Sequence, residues 1–212
     1  MSAACQITPM PVVVRIGPLI AACHSEVVLH ADRLNRLDCA IGDGDHGTNM
    51  QRGCEALLAE RRQLETMPLA ETLVEAGRIL IMTIGGAAGP LYGTLLMELG
   101  RAIAAADGAE DFPAAFTLAV DAVARRGKSR PGDKTLLDVL CPLSELLAQA
   151  GGSEDMPDRV AALAEMTVPM RAMRGRASFL GERSVGHMDP GAASCAFLVA
   201  AVWRELNGER GA

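Results

Sequence analysis

The chain has 212 residues and a formal charge of −6; half of its residues are apolar, 22% are charged and only 3% are aromatic. That length fits one domain of ordinary size, and the composition excludes a disordered or collagen-like protein while requiring an aliphatic core. The acidic balance argues against sequence-independent nucleic-acid binding, whose affinity comes from Lys and Arg neutralising phosphates, so no nucleic-acid partner is expected.

Apolar residues recur at three- and four-residue intervals, with breaks at Gly, Pro and Asp clusters, a pattern that is almost wholly helical. The first helix is predicted over 9–33, kinked or split at Gly17-Pro18. Helices over 47–62, 68–84 and 90–106 follow, with Pro68 and Pro90 suited to a first turn. A surface turn at 107–111 leads into a helix over 111–126. The next, over 134–150, is expected to take Asp133 as its cap; a second surface turn at 151–155 precedes a helix over 155–174. The last, over 190–207, begins at Asp189-Pro190, a cap followed by a first-turn proline. Val12-Val13-Val14 is too short for a convincing strand. With no repeat and no linker, one all-helical domain over 1–212 is expected.

Targeting signals are not evident. The apolar stretch from Val12 to Cys23 is broken by Arg15 and Gly17-Pro18, which does not read as a secretory signal. Lacking any run of about 20 apolar residues, the chain is not expected to span a membrane. The six cysteines form no C-x-x-C pair, so reduced thiols and a cytoplasmic location are expected.

Residues 37–50, LDCAIGDGDHGTNM, concentrate Asp38, Asp43 and Asp45 in a glycine-rich stretch before a helix start. Like carboxylates raise one another's pKa unless a positive charge intervenes, and hard oxygen ligands suit Mg²⁺, Ca²⁺ or Mn²⁺. The helix start itself, with free N–H groups, attracts phosphate. A metal between carboxylates and phosphate reconciles the two. An EF-hand count from Asp43 fails, since the sixth residue is Thr48 and the twelfth Cys54. An ordinary Asp-Gly turn capping a helix is the remaining alternative.

Three further segments share this character. IGGAAGPLYG (84–93) opens another helix without matching a P-loop or a dinucleotide fingerprint. RRGKSRPGDKT (125–135) is a basic loop able to cover a nucleotide, and RGRASFLGERSVGHMDPGAAS (174–194) carries Arg174, Arg176 and Arg183 into an Asp-Pro-Gly helix start. Gathered at one end of a bundle, these junctions would make an anion site that none makes alone.

In this order and spacing the four motifs resemble the L subunit of dihydroxyacetone kinase, the nucleotide-binding subunit, from about residue 30 to 205. The resemblance implies a closed antiparallel barrel of eight amphipathic helices with ADP or ATP and two Mg²⁺ ions at one end. It implies that Asp38, Asp43 and Asp45 coordinate the metals. His46, Gly47, Thr48 and Asn49 would hold phosphate at the helix start, beside Ala87 and Ala88. Gly127 and Leu136 would flank adenine, Arg176 would reach the nucleotide, and Asp189, Pro190 and Gly191 would line its far side. Met173 is a further candidate to support the base. Many family members carry serine where this chain has Ala88, and a lost hydrogen bond to a charged group costs about 1.5–3 kcal/mol.

Phosphoryl transfer asks mainly for positioning and charge stabilisation, so no separate catalytic residue is expected. His46 is a possible base, though its place at a helix start favours phosphate contact; His187 is read as ordering a loop. A separate chain of this length with histidine at position 46 is similar to members that work with the phosphoenolpyruvate phosphotransferase system. The partners implied are a K subunit carrying dihydroxyacetone and a phosphohistidine-bearing M-type phosphotransferase protein, with a homodimer left open. The alternatives are a nucleotide subunit of an ATP-dependent ketose or four-carbon sugar kinase, and a non-catalytic nucleotide-binding regulator.

Overall fold

The computed structural model describes residues 14–106, 111–150 and 155–208. Most of the two predicted turns, together with Cys5, Val12 and Val13, lie outside these residues. Among the described residues there are helices and no strand.

Helix α1 (Ile16–Ile41) buries Ile20, Val27, Leu34, Asp38 and Ile41 along one stripe, the spacing of a helix with a single apolar face. It ends later than expected, while residues 9–13 of the predicted helix lie outside the described residues. Gly17 and Pro18 fall in its first turn, where proline's missing N–H has no intrahelical bond to lose, so the expected kink or split does not arise. Because the stripe continues through Leu34 to Ile41, Asp38 stands on the last helical turn rather than in a loop.

Helix α2 (His46–Ala59) gives way at Glu60 to a single turn, α3 (Arg61–Leu64), so the helix expected to run to residue 62 is broken. Helices α4 (Leu69–Thr83), α5 (Ala88–Ala105) and α6 (Phe112–Gly127) lie close to their predicted positions. α4 and α5 meet main chain to main chain: a Cβ added at either Gly77 or Gly93 would lie 2.6 Å from the other's carbonyl oxygen. Asp111 caps α6, its Oδ1 accepting the Ala114 N–H at 3.2 Å.

Helix α7 (Leu137–Ala150) begins after a loop that sequence reading placed inside it. Lys134 has φ 62°, a left-handed conformation that no α-helix continues through. Asp133 therefore does not cap this helix; Asp138 instead accepts N–H groups from Thr135 (2.7 Å) and Gly132 (2.6 Å). Helix α8 (Met156–Glu165) stops well short of residue 174. Pro169 removes a donor and disfavours a helical Val168, and the chain passes through turns into a 3₁₀ segment (Arg176–Ser184). Helix α9 (Pro190–Gly208) ends the described chain.

Neighbours follow a cyclic order: α1 packs on α2, α2 on α4, then α4 on α5, α5 on α6, α6 on α7, α7 on α8, α8 on α9, and α9 returns to α1. Leu34, Met50, Leu64, Leu137, Leu140, Val123, Val139 and Val160 are fully buried between them, and each stabilises the fold by roughly 1.5–3 kcal/mol. No helix among the described residues is long and apolar enough to cross a membrane. The junctions after α1, α4, α6 and α8 converge on one cavity.

Candidate functional site

The first wall of the cavity is shaped by Asp38. From the end of α1 its Oδ2 accepts the N–H groups of Gly44 (2.8 Å), Asp45 (3.0 Å) and His46 (3.2 Å), which folds the following loop around a carboxylate only 9% exposed. Gly44 makes this turn at φ 82°, where a Cβ would also strike the Cys39 sulfur. The loop brings one carboxylate oxygen each from Asp38, Asp43 and Asp45 within 4.8 Å of one another, with Asp43 and Asp45 exposed.

The cavity holds about 470 Å³. Gly85, Gly86, Ala87 and Ala88 form one side at the start of α5; Gly127, Ser129, Thr135 and Leu136 form another; Arg174, Arg176, Asp189, Pro190 and Gly191 close the third. Of the residues singled out from sequence, Asp38, Asp43, Asp45, His46, Asn49, Ala87, Ala88, Gly127, Leu136, Arg176, Asp189, Pro190 and Gly191 all line this one space.

Others do not. Gly47 and Thr48 lie on the α1 side of α2: a Cβ at Gly47 would meet the Ala31 carbonyl, and the Thr48 N–H donates to Asn35 Oδ1 at 3.1 Å while Asn35 Nδ2 donates to Thr48 Oγ1 at 3.0 Å. The His46 N–H is likewise taken, by Asp38, and the Asn49 N–H by the Asp45 carbonyl. Most of the helix start is thus engaged within the protein. Met173 is half exposed and absent from the lining.

Charge in the cavity is finely divided. Arg176 Nη1 pairs with Asp43 Oδ2, and Arg174 Nε lies 3.4 Å from Asp133 Oδ2. Burial lowers the pKa of His46, against the opposing pull of Asp38 and Asp45. Its Nε2 lies 2.9 Å from Ser194 Oγ, which lies 2.7 Å from the hydroxyl of Tyr92. Burial raises the Tyr92 pKa well above its ordinary value, so that phenol stays neutral. Ser194 has one proton and can direct it to the Gly191 carbonyl at 3.1 Å, to the Tyr92 hydroxyl or to His46, and whether His46 receives it sets which imidazole nitrogen bears hydrogen. Asp189, at the start of α9, is pushed up to about 7, chiefly by burial, although its Oδ2 accepts the Ala192 N–H at 2.7 Å.

The carboxylate trio fits a divalent cation. Its oxygens are hard donors close enough to share one or two ions, and a guanidinium already neutralises one of them, so the cluster draws positive charge.

Comparison with known proteins decides the family. The DAK2 domain matches residues 40–204. The chain is 41% identical over 167 residues to PEP-dependent dihydroxyacetone kinase 1, ADP-binding subunit DhaL, of Listeria innocua, covering 78% of this chain and 82% of that protein. It belongs to the DAK2-domain family. The corresponding ADP-binding subunit of Escherichia coli K12 is 37% identical over 179 residues, covering 80% of this chain and 85% of that one. The dihydroxyacetone kinase of C. freundii, solved in complex with AMP-PNP and Mg²⁺, superimposes with a TM-score of 0.71 at 22% identity, over 95% of this chain and 36% of that one, a likeness of fold.

Within this DAK2-domain chain, sequence reading missed four contributors to the site: Lys134, Asp138, Tyr92 and Ser194. Tyr92 carried a signal, as the single tyrosine in an aromatic-poor chain, since a buried phenol needs a partner. Lys134 carried a misleading one, because Asp-Lys-Thr after glycine reads as a helix start.

Proposed function

We propose that this chain is the ADP-binding subunit of a phosphoenolpyruvate-dependent dihydroxyacetone kinase. In this reading ADP is resident; a phosphoryl group from a phosphohistidine on an M-type partner passes to its terminal phosphate, and then to a hydroxyl of dihydroxyacetone on the K subunit, restoring ADP. The observation that carries the reading is the convergence of Asp38, Asp43 and Asp45 with the 85–88 loop and the arginine-bearing 3₁₀ segment on one cavity. The names of the relatives supply the substrate class.

Asp38, Asp43 and Asp45 would hold two Mg²⁺ ions, which when bound neutralise phosphate oxygens as charge shifts during transfer. The remaining work belongs to the protein. Asp38 keeps the loop shaped through three N–H groups, so the two exposed carboxylates face the cavity without reorganising. His46, fixed by Ser194, and the main chain at Ala87 and Ala88 are positioned for phosphate oxygens. Leu136 and Gly127 offer an apolar slot for adenine, and Arg176 a cation for phosphate. The cyclic helix order supports a single closed barrel, and a cytoplasmic subunit fits its dependence on the two partner proteins.

The test is turnover. Purified chain, K subunit and dihydroxyacetone are incubated with excess ATP as sole donor, with and without the phosphotransferase proteins and phosphoenolpyruvate. Sustained turnover only with the latter is expected; many rapid turnovers on ATP alone would reject the resident-nucleotide reading.

A further inference from the structure

Lys134 is the largest fully buried side chain among the described residues, 1% exposed, on a left-handed backbone position in the loop before α7. Among the described residues no carboxylate reaches it as a salt bridge, although the charge of Asp189 acts on it from farther off. Its ammonium donates instead to main-chain carbonyls: Ser184 at 2.7 Å, His187 at 2.5 Å and Met170 at 3.0 Å, with Val168 at 3.5 Å. A buried charge is costly unless its donors are met, and three good acceptors match the three protons of an ammonium.

These carbonyls come from both legs of one excursion. Residues 166–175 leave the end of α8, the 3₁₀ segment follows and lines the cavity with Arg176 and Ala177, and 185–189 return to α9. The legs also bind each other: the Gly186 N–H donates to the Val168 carbonyl at 2.8 Å and the Ala172 N–H to Ser184 Oγ at 2.9 Å. Lys134 adds what those bonds lack, a tie from the excursion to the opposite wall. Its neighbours reinforce it, since the Asp133 carbonyl accepts the Met173 N–H at 3.0 Å and its carboxylate faces Arg174.

We propose that Lys134 is a positioning residue: its buried ammonium clips both legs of the 166–189 excursion to the 130–136 loop, and so holds Arg174 and Arg176 over the nucleotide cavity. This rests on the nucleotide reading above. The carbonyls it gathers lie outside the α-helices, that of Ser184 at the end of the 3₁₀ segment, so without the cation they would be left with a vacant buried centre, and the legs would separate. The effect falls on the cavity mouth and leaves the α4–α5 contact untouched.

Lys134→Gly tests this without confusion from backbone strain, because glycine relaxes at φ 62°. In the full chain, amide hydrogen exchange is measured beside titration with ADP and Mg²⁺, each with and without added n-butylamine, whose ammonium can re-enter the vacated site. Expected are a loss of protection in 168–187 with α4 and α5 unchanged, an ADP affinity at least tenfold weaker, and recovery of both with butylammonium but not with 1-butanol. Unchanged protection in 168–187, uniform loss across all helices, or equal rescue by the alcohol would each overturn the proposal. So would a variant that stays unfolded with and without the amine, since that assigns Lys134 to the core at large. Wild-type chain that binds no ADP would instead defeat the nucleotide reading, while the exchange data still judge Lys134.

Discussion

Arg176 sets its guanidinium against the Asp43 carboxylate, joining the 3₁₀ segment to the acidic loop across the cavity. Both side chains are largely exposed, 62% and 43%, and such a pair is worth only about 0–1 kcal/mol. A divalent ion bound at Asp43 competes with it, and a nucleotide phosphate then offers the arginine a new partner. Arg176→Gln therefore has effects of opposite sign. Affinity for Mn²⁺ alone should rise, by up to about fivefold. Affinity for ADP with metal should fall by about tenfold or more, the cost of a lost charged hydrogen bond. Calorimetric titrations with metal alone and then with ADP read both; a fall in both would mean that Arg176 supports the acidic loop instead of competing for it.

Asp43→Asn removes one charge from the trio while leaving Asp38, whose oxygen organises the loop, in place. The fold should persist and the metal and ADP should be lost together. Gel filtration in EDTA followed by nucleotide release makes the check: ADP still carried by this variant would exclude metal-dependent binding at Asp43.

Ala88 opens α5 at the cavity wall. Ala88→Ser places a hydroxyl where a phosphate oxygen is expected, and a hydrogen bond to a charged group adds about 1.5–3 kcal/mol. ADP should bind at least about tenfold tighter, with little change in melting temperature of the ligand-free chain. No gain in affinity would mean that the phosphate lies away from this helix start.

The acidic and glycine-rich motifs were legible because their chemistry is local: three aspartates within eight residues can hardly avoid one another, and a positive-φ glycine announces its own turn. Periodicity gave α4, α5 and α6 nearly whole, since each is bounded by proline, glycine or aspartate. It failed where a distant residue decides the local structure. Asp38 looked like a loop residue until α1 was seen to carry its stripe to Ile41, and the stretch after Glu165 looked helical although its carbonyls turn away to Lys134. The Tyr92–Ser194–His46 chain joins residues 102 and 148 positions apart, and no spacing in one sequence reveals it.

Asp189 supplies the pH dependence. Burial is the leading reason its pKa rises from 3.8 to about 7; the nearby Asp138 raises it further, while the Ala192 N–H and Lys134 hold it down. Its folded pKa lies above its unfolded value, so between these limits the folded chain keeps a proton that the unfolded chain has lost. Stability is therefore fullest below pH 4 as far as this group is concerned, falls as pH rises through 7, and levels above. Asp189→Asn keeps an acceptor for the Ala192 N–H and does not titrate. In metal-free and nucleotide-free chain, the stability of this variant relative to wild type should grow across that window, by at most about 4 kcal/mol, and stay constant above pH 8. Urea unfolding of both chains from pH 4.5 to 8.5 measures the gap, and parallel curves would show that Asp189 is ionised throughout.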